Sequence, residues 1–381
     1  MKRMYWRPRR VSRTAILLIA LWSLCGYLLV ERFQKEVRQP HFAEKLEAAR
    51  IAEQAFRTIR EERLRLRIPI DPETDPLQTG LIGTLMSPVT TNPGTLSSKQ
   101  SSLNPNFAAV IVHYLMKAGV QPGDTIAVGC SGSFPGLNIA ALSAIEALRL
   151  RAIIISSASS SQWGANEPAL LWLDMEKVLL DRKVISRGSV AASLGGIEDR
   201  GLGMSQRGVR ILRETIERHG LPLIDPPTFS DSIRDRMRIY REESGGEPFK
   251  VYINVGGGTI SVGRRFGKKL FKPGLNKAAP AGVEIESVMS SFLEEGVPVI
   301  HLIQVGDLAA RFGLETQPKV VPSPGQGKIF VQPEYNRWLA FGILVSILGS
   351  LYLFVRSDLG FRMTRGGGGK RGDKGHPEPM V

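Results

Sequence analysis

The sequence predicts an α/β body, a mainly parallel sheet with covering helices, flanked by one transmembrane helix at each end. Three observations predict it. Between residues 106 and 303, apolar runs of strand length alternate with segments of helix length, the rhythm of a parallel sheet whose crossovers are helices. Two uncharged apolar stretches, 15–30 and 338–355, bracket that region. The net charge of +14 over 381 residues is gathered largely at the ends. Residues 1–14 hold six basic residues and no acid, and 356–381 hold six against three acids, so 31–337 carries only +5.

The elements follow in order. At the helical rise, 15–30 and 338–355 span roughly 24 Å and 27 Å, close to a bilayer core once the flanking residues snorkel. The first starts like a signal peptide. The run Cys25-Gly-Tyr-Leu-Leu-Val-Glu offers no small-x-small cleavage site, however, so an uncleaved anchor is expected. Both short tails are Lys/Arg-rich, which puts both termini in the cytoplasm and the body outside it. The basic ends thereby serve as topology signals, and no nucleic-acid partner is expected. Gly342, Ser346 and Ser350, with Gly349 beside them, form a ridge of small residues along the second anchor that would let another helix approach closely.

Residues 31–68 read as a stalk or packing helix above the membrane. Phe42, Leu46, Ala49, Ala52, Phe56 and Ile59 lie among charges, and Glu53–Arg57 and Glu61–Arg65 are spaced as i, i+4 pairs. Pro69 ends the helix. Residues 69–105, rich in Pro, Thr, Ser, Asn and Gly, read as a loop-rich connector. The α/β domain is assigned to 106–337. Helices are expected at 106–118, 138–148, 170–180, 206–219 and 285–295, and strands at 124–128, 151–156, 250–255 and 297–303.

Two glycine-rich loops follow strands, where open α/β sheets place their ligands. Gly129-Cys-Ser-Gly-Ser nearly spells a nucleophile elbow, with Ser131 as nucleophile and Ser133 where the last glycine would stand. It could equally hold an anion on Gly129, Ser131, Gly132 and Ser133 at the start of the next helix, or be a tight strand–helix turn. Gly256-Gly-Gly-Thr-Ile is similar to the loop of bacterial asparaginases, which would make Thr259 a nucleophile and Gly256, Gly257 and Gly258 a backbone cradle. The second asparaginase signature is absent. Either nucleophile needs a base, and the α/β domain 106–337 offers His113, His219 and His301. The first and last lie in apolar segments, as core histidines do, and His219 suits a helix C-terminus. Two cysteines and no H-E-x-x-H, C-x-x-C or Walker A pattern leave no metal or cofactor expected. Arg264, Arg265, Lys268, Lys269, Lys272 and Lys277, interleaved with Phe266 and Phe271, form one internal basic cluster suited to an anionic polymer.

The whole layout resembles the poly-γ-glutamate system protein family. The resemblance rests on the N-terminal anchor, on Gly129-Cys-Ser-Gly-Ser-Phe-Pro-Gly-Leu-Asn, on Ser161-Gln-Trp-Gly-Ala-Asn-Glu-Pro, on the Val255-Gly-Gly-Gly-Thr loop and on the closing anchor. It implies a bacterial inner-membrane accessory protein. Its partners would be the poly-γ-glutamate synthase membrane subunits, the polymer and the lipid bilayer. The alternatives are an amidohydrolase or transferase acting through Ser131 or Thr259, and a purely structural scaffold.

Overall fold

The structure, a computed structural model, describes residues 13–264 and 267–356. The distal parts of both basic tails, and Arg265 and Phe266 of the internal cluster, lie outside them, and the Lys268 side chain is likewise not described. In chain order the elements begin with α1 (Arg13–Arg32), β1 (Lys35–Arg38), α2 (Phe42–Arg65), α3 (Leu96–Ser101), α4 (Phe107–Ala118), β2 (Thr125–Ser131), α5 (Pro135–Leu148) and β3 (Arg151–Ser157). Next come β4 (Asn166–Glu167), β5 (Leu170–Leu171), α6 (Trp172–Asp181), β6 (Ser189–Ser193), α7 (Gln206–Arg218), β7 (Leu223–Ile224), α8 (Phe229–Ser244) and β8 (Tyr252–Val255). The last are α9 (Thr259–Val262), α10 (Gly267–Leu270), β9 (Gly274–Asn276), α11 (Val288–Glu294), β10 (Val299–Leu302), α12 (Val305–Arg311), β11 (Val331–Glu334) and α13 (Arg337–Arg356).

The chain divides into two compact units, the body Arg38–Val331 and a unit made of the terminal segments on either side of it. In the terminal unit α1 packs on α13, with Trp22 Nε1 donating to Ser346 Oγ at 3.0 Å. A Cβ on Gly26 would lie 2.4 Å from Ile343 Cγ2, so that glycine is what lets the two helices touch. The small-residue ridge is therefore divided: Ser346 faces α1, whereas Gly342 and Gly349 have open space beside them. Among the described residues one helix is long and apolar enough to cross a membrane, at Arg337–Phe354. The 20-residue α1 exposes an apolar run of its own, Leu17, Leu18, Leu21, Trp22, Leu24 and Leu28.

The body is α/β, as the alternation predicts. Its seven-stranded sheet has the order β7-β6-β3-β2-β8-β10-β9, parallel except for the edge strand β9. Buried strands with period-two side chains feed two cores. Ile126, Val128, Ile154, Ile253 and Ile300 face one side, together with α2, α4, α5 and α6. Ala127, Ile153, Ile155, Tyr252 and Val299 face the other, with α8 and α11. The chain walks outward from β2 through β3, β6 and β7, then returns to lay β8 on the free side of β2. That reversal makes the β2–β8 pair the topological switch point, outside whose carboxyl ends such sheets open a crevice.

The segments before the predicted domain prove to be part of the body. Of the stalk and packing readings of 31–68, α2 follows the second and is a covering layer of the body. Its Ala48, Ala49, Ala52 and Ala55 are fully buried, because a stripe of alanines lets a helix sit close on α4 and α5. On its outer face Arg65 pairs with Glu62 at 2.5 Å, an i, i+3 pair one residue closer than the expected Glu61–Arg65 pair. The connector 69–105 is fastened rather than loose. Buried Arg63 donates to the carbonyls of Gly80 (2.8 Å), Ile82 (2.6 Å) and Pro69 (3.0 Å), and the connector contains α3. The compact body accordingly begins at Arg38 and ends at Val331, wider at its start than the expected 106–337.

Candidate functional site

β2 runs through Ser131, so the first glycine-rich motif is half strand and half loop. Gly129 lies inside the sheet. A Cβ there would stand 2.3 Å from Tyr252 Oη, so this glycine makes room for a tyrosine on the neighbouring strand and takes no part in an anion loop. Ser131 sits at the strand end, its carbonyl accepting from Asn138 Nδ2 at 2.9 Å and its Oγ accepting the Ser133 N–H at 3.2 Å. Asn138 is fully buried on α5 and fixes the strand-to-helix turn, with Pro135 opening the helix.

The second loop meets the first. Gly256 has φ +86°, a left-handed turn that only glycine adopts freely, and its Cβ position lies 3.6 Å from Ser131 Cβ and 3.6 Å from Phe134 Cδ2. The two motifs are thus neighbours at the switch point. Among the described residues, the N–H groups of Gly257 and Gly258 have no acceptor, which leaves backbone donors at the crevice. Two buried side-chain atoms close by in sequence and register are also unpartnered, Thr259 Oγ1 and His301 Nε2. His301 pairs in register with Asn254 on β8, whose Nδ2 lies 3.0 Å from His301 Nδ1 and donates also to Gly256 O at 2.8 Å. That arrangement makes Nδ1 the acceptor and puts the proton on Nε2. Burial lowers the His301 pKa to about 4, so the ring is neutral; its one basic nitrogen, Nδ1, is taken by Asn254, and Nε2, carrying the proton, offers no lone pair to Ser131 or Thr259.

The other histidines stand elsewhere. His113 packs edge-on against Phe312, with centroids 5.4 Å apart. His219 caps α7, and its Nε2 lies 2.8 Å from Asp174 Oδ1 beside a surface pocket of ≈ 320 Å³. The other Asp174 oxygen accepts the Leu171 N–H at the start of α6, so the carboxylate is occupied in helix capping. Burial raises the Cys130 thiol well above its usual range and leaves it inert.

A third loop, from β3, completes the crest, and sequence reasoning missed its central residue. Lys99, on α3 of the connector, is 2 % exposed. Its Nζ donates to Ser133 O, lies 2.8 Å from Ser161 Oγ and sits 3.6 Å from the Phe134 ring centroid. Burial lowers its pKa to about 7. The connector is stitched along the Ser161–Asn166 loop: Thr91 N donates to Ser160 O (2.8 Å), Gln162 N to Asn92 O (3.0 Å) and Trp163 N to Thr84 O (3.0 Å). Asn166 binds Thr84 through both amide atoms. Loop closeness again demands glycine. A Cβ on Gly132 would stand 2.6 Å from Ser159 O, and one on Gly164 would stand 2.7 Å from Ser133 O.

The basic cluster is less uniform than its sequence. Arg264 pairs with Glu198 at 3.1 Å and lies over the Phe229 ring at 4.5 Å. Lys269, Lys272 and Lys277 are exposed. Phe271, expected as an interleaved surface aromatic, is 4 % exposed and belongs to the second core. Among the described residues no group of His, Cys, Asp and Glu could hold a metal ion. Compared with family models, curated proteins and solved structures, the chain has no match.

Proposed function

We propose that the chain is a membrane-anchored accessory protein of poly-γ-glutamate synthesis, export or surface retention, binding the anionic polymer or the synthase complex. The observation that carries the reading is the meeting of the two glycine-rich loops at the switch point, where Gly256 abuts Ser131 and the N–H groups of Gly257 and Gly258 lack acceptors among the described residues. Such donors suit carboxylates. The exposed Lys269, Lys272 and Lys277 extend a basic surface for a polyanion. The apolar α1 and α13 serve as two anchors in the bacterial inner membrane, with both basic tails cytoplasmic and the body outside.

Gel filtration of the full chain in detergent micelles with poly-γ-glutamate of defined length tests the binding. Polymer of unchanged size co-elutes at low salt and separates at high salt, and Lys269→Glu with Lys272→Glu weakens the association. Absence of co-elution at low salt removes polymer binding from the account.

A further inference from the structure

We propose that Ser161 and Lys99 form a serine–lysine nucleophile pair able to open amide or ester bonds at the crest of the sheet. The inference stands without the polymer. It starts from geometry: Ser161 Oγ lies 2.8 Å from Lys99 Nζ, the distance at which an amine takes a hydroxyl proton. The rest of Ser161 is already committed. Its N–H donates to Ser133 Oγ at 3.0 Å, and its carbonyl accepts from Gly164 N and Ser160 Oγ, so backbone bonds fix the residue while the hydroxyl addresses the lysine. Lys99 is held in turn by Ser133 O and the Phe134 ring. Its lowered pKa leaves much of it as free amine near neutral pH, the state a base requires.

The serines singled out by motif lack such a partner. Ser131 Oγ accepts a backbone N–H, and Thr259 Oγ1 has no hydrogen-bond partner among the described residues. The pair also lies where chemistry is expected: Ser161 is on the loop leaving the carboxyl end of β3, and Lys99 reaches it from α3 across the β2 loop, where it donates to Ser133 O.

In the step, Ser161 Oγ bonds to the carbonyl carbon while its proton passes to Lys99 Nζ. The carbon–nitrogen or carbon–oxygen bond to the leaving group then breaks, and the ammonium returns that proton to the departing amine or alcohol. Water, deprotonated by Lys99, attacks the resulting ester, and the proton goes back to Ser161 as the acid leaves. No oxidant or reductant is needed.

The test uses the full chain in detergent micelles and a biotin-tagged alkyl fluorophosphonate, which reacts with activated serines. Digestion and mass spectrometry locate the adduct. The adduct is expected on Ser161, its rate rising about tenfold from pH 6 to pH 8 and then levelling as the amine becomes fully free. Ser161→Ala abolishes it. Lys99→Arg keeps a charge and donors but cannot lose its proton here; it lowers the melting temperature, because the buried charge can no longer be shed, and in the folded protein lowers the labelling rate by about 100-fold. Should Lys99→Arg fail to fold, the wild-type rate profile decides alone. Any of three results overturns the pair: an adduct on Ser131 or Thr259 in place of Ser161, no adduct in folded protein, or a wild-type rate flat across that pH range.

Discussion

Replacing Lys99 by methionine tests whether the connector buries a titrating amine. The two side chains are of similar length, but methionine carries no charge. In the unfolded chain Lys99 holds its proton to pH 10.5, whereas in the folded body it releases it near 7. A lysine whose folded pKa is lowered contributes its full stability above the unfolded value and loses it as pH falls through the folded one. Between pH 7 and pH 9 the folded state sheds its remaining proton while the unfolded state keeps its own. At about 1.4 kcal/mol per pH unit for one proton, wild-type stability therefore gains about 2 kcal/mol over that interval from this residue. In Lys99→Met the term vanishes. The bonds to Ser133 O and Ser161 Oγ are lost as well, but by an amount that hardly changes with pH, so it cancels when the two proteins are compared at both values. Urea unfolding of the body, followed by tryptophan fluorescence in micelles at pH 7 and pH 9, measures the difference. The variant is favoured at pH 7 relative to pH 9 by about 2 kcal/mol. Parallel pH slopes for the two proteins would refute the burial argument, because Lys99 would then titrate as a solvated lysine.

Three further outcomes are expected. Glu176 is buried among Ser189 N (2.9 Å) and Ser189 Oγ (3.0 Å), and burial raises its pKa to about 7. Its stabilisation is complete below pH 4.5 and is lost as pH rises through 7, so Glu176→Gln removes a decline of about 2–3 kcal/mol between pH 5 and pH 8 in the same unfolding assay. Asp199 and Arg236 form a buried ion pair at 2.7 Å that also engages Ser193 and Ser232; Asp199→Ala strands the guanidinium and costs about 3–5 kcal/mol, read as a fall in the urea midpoint. Gly132→Ala forces the β2 loop off Ser159 O and destabilises by about 1–3 kcal/mol, whereas Gly258→Ala meets nothing within 4 Å and leaves the midpoint nearly unchanged.

The sheet was legible where strands were fully buried. Thr125–Ser131 and Arg151–Ser157 read as apolar runs because both faces of a parallel strand are covered, and the strand at 299–302 read the same way. β6 escaped, since Ser-Val-Ala-Ala-Ser is short and weakly apolar and is held by its neighbour β3 rather than by its own propensity. α8 escaped for the opposite reason. Its buried stripe of Phe229, Ile233, Met237 and Tyr240 is regular, but it is threaded through charges that pair along the surface, such as Arg238–Glu242 at 3.0 Å. The docking of the connector was not legible because composition reports what a segment is made of and not what it docks on. Pro, Ser and Thr make a loop in either case, and here three carbonyls bound by Arg63 and a ladder along the β3 loop hold it down.

The site divides along the same line. Gly132 and Gly256 were visible because a close approach and a left-handed turn both demand glycine, and the sequence carries that demand openly. Whether the two loops met was a matter of strand order, which the chain settles only by laying β8 beside β2. Lys99 left no signal at all, lying in Ser97-Ser-Lys-Gln-Ser-Ser, where a lysine among serines reads as solvated linker. Its chemistry is made by tertiary structure: the connector carries it to Ser161 and the Phe134 face, and the packing of three loops removes the water that would keep it an ordinary ammonium. The connector therefore supplies the crevice with a buried amine, so changes that unpin it at Arg63 or Asn166 act on Ser161 reactivity as strongly as changes at Lys99 itself.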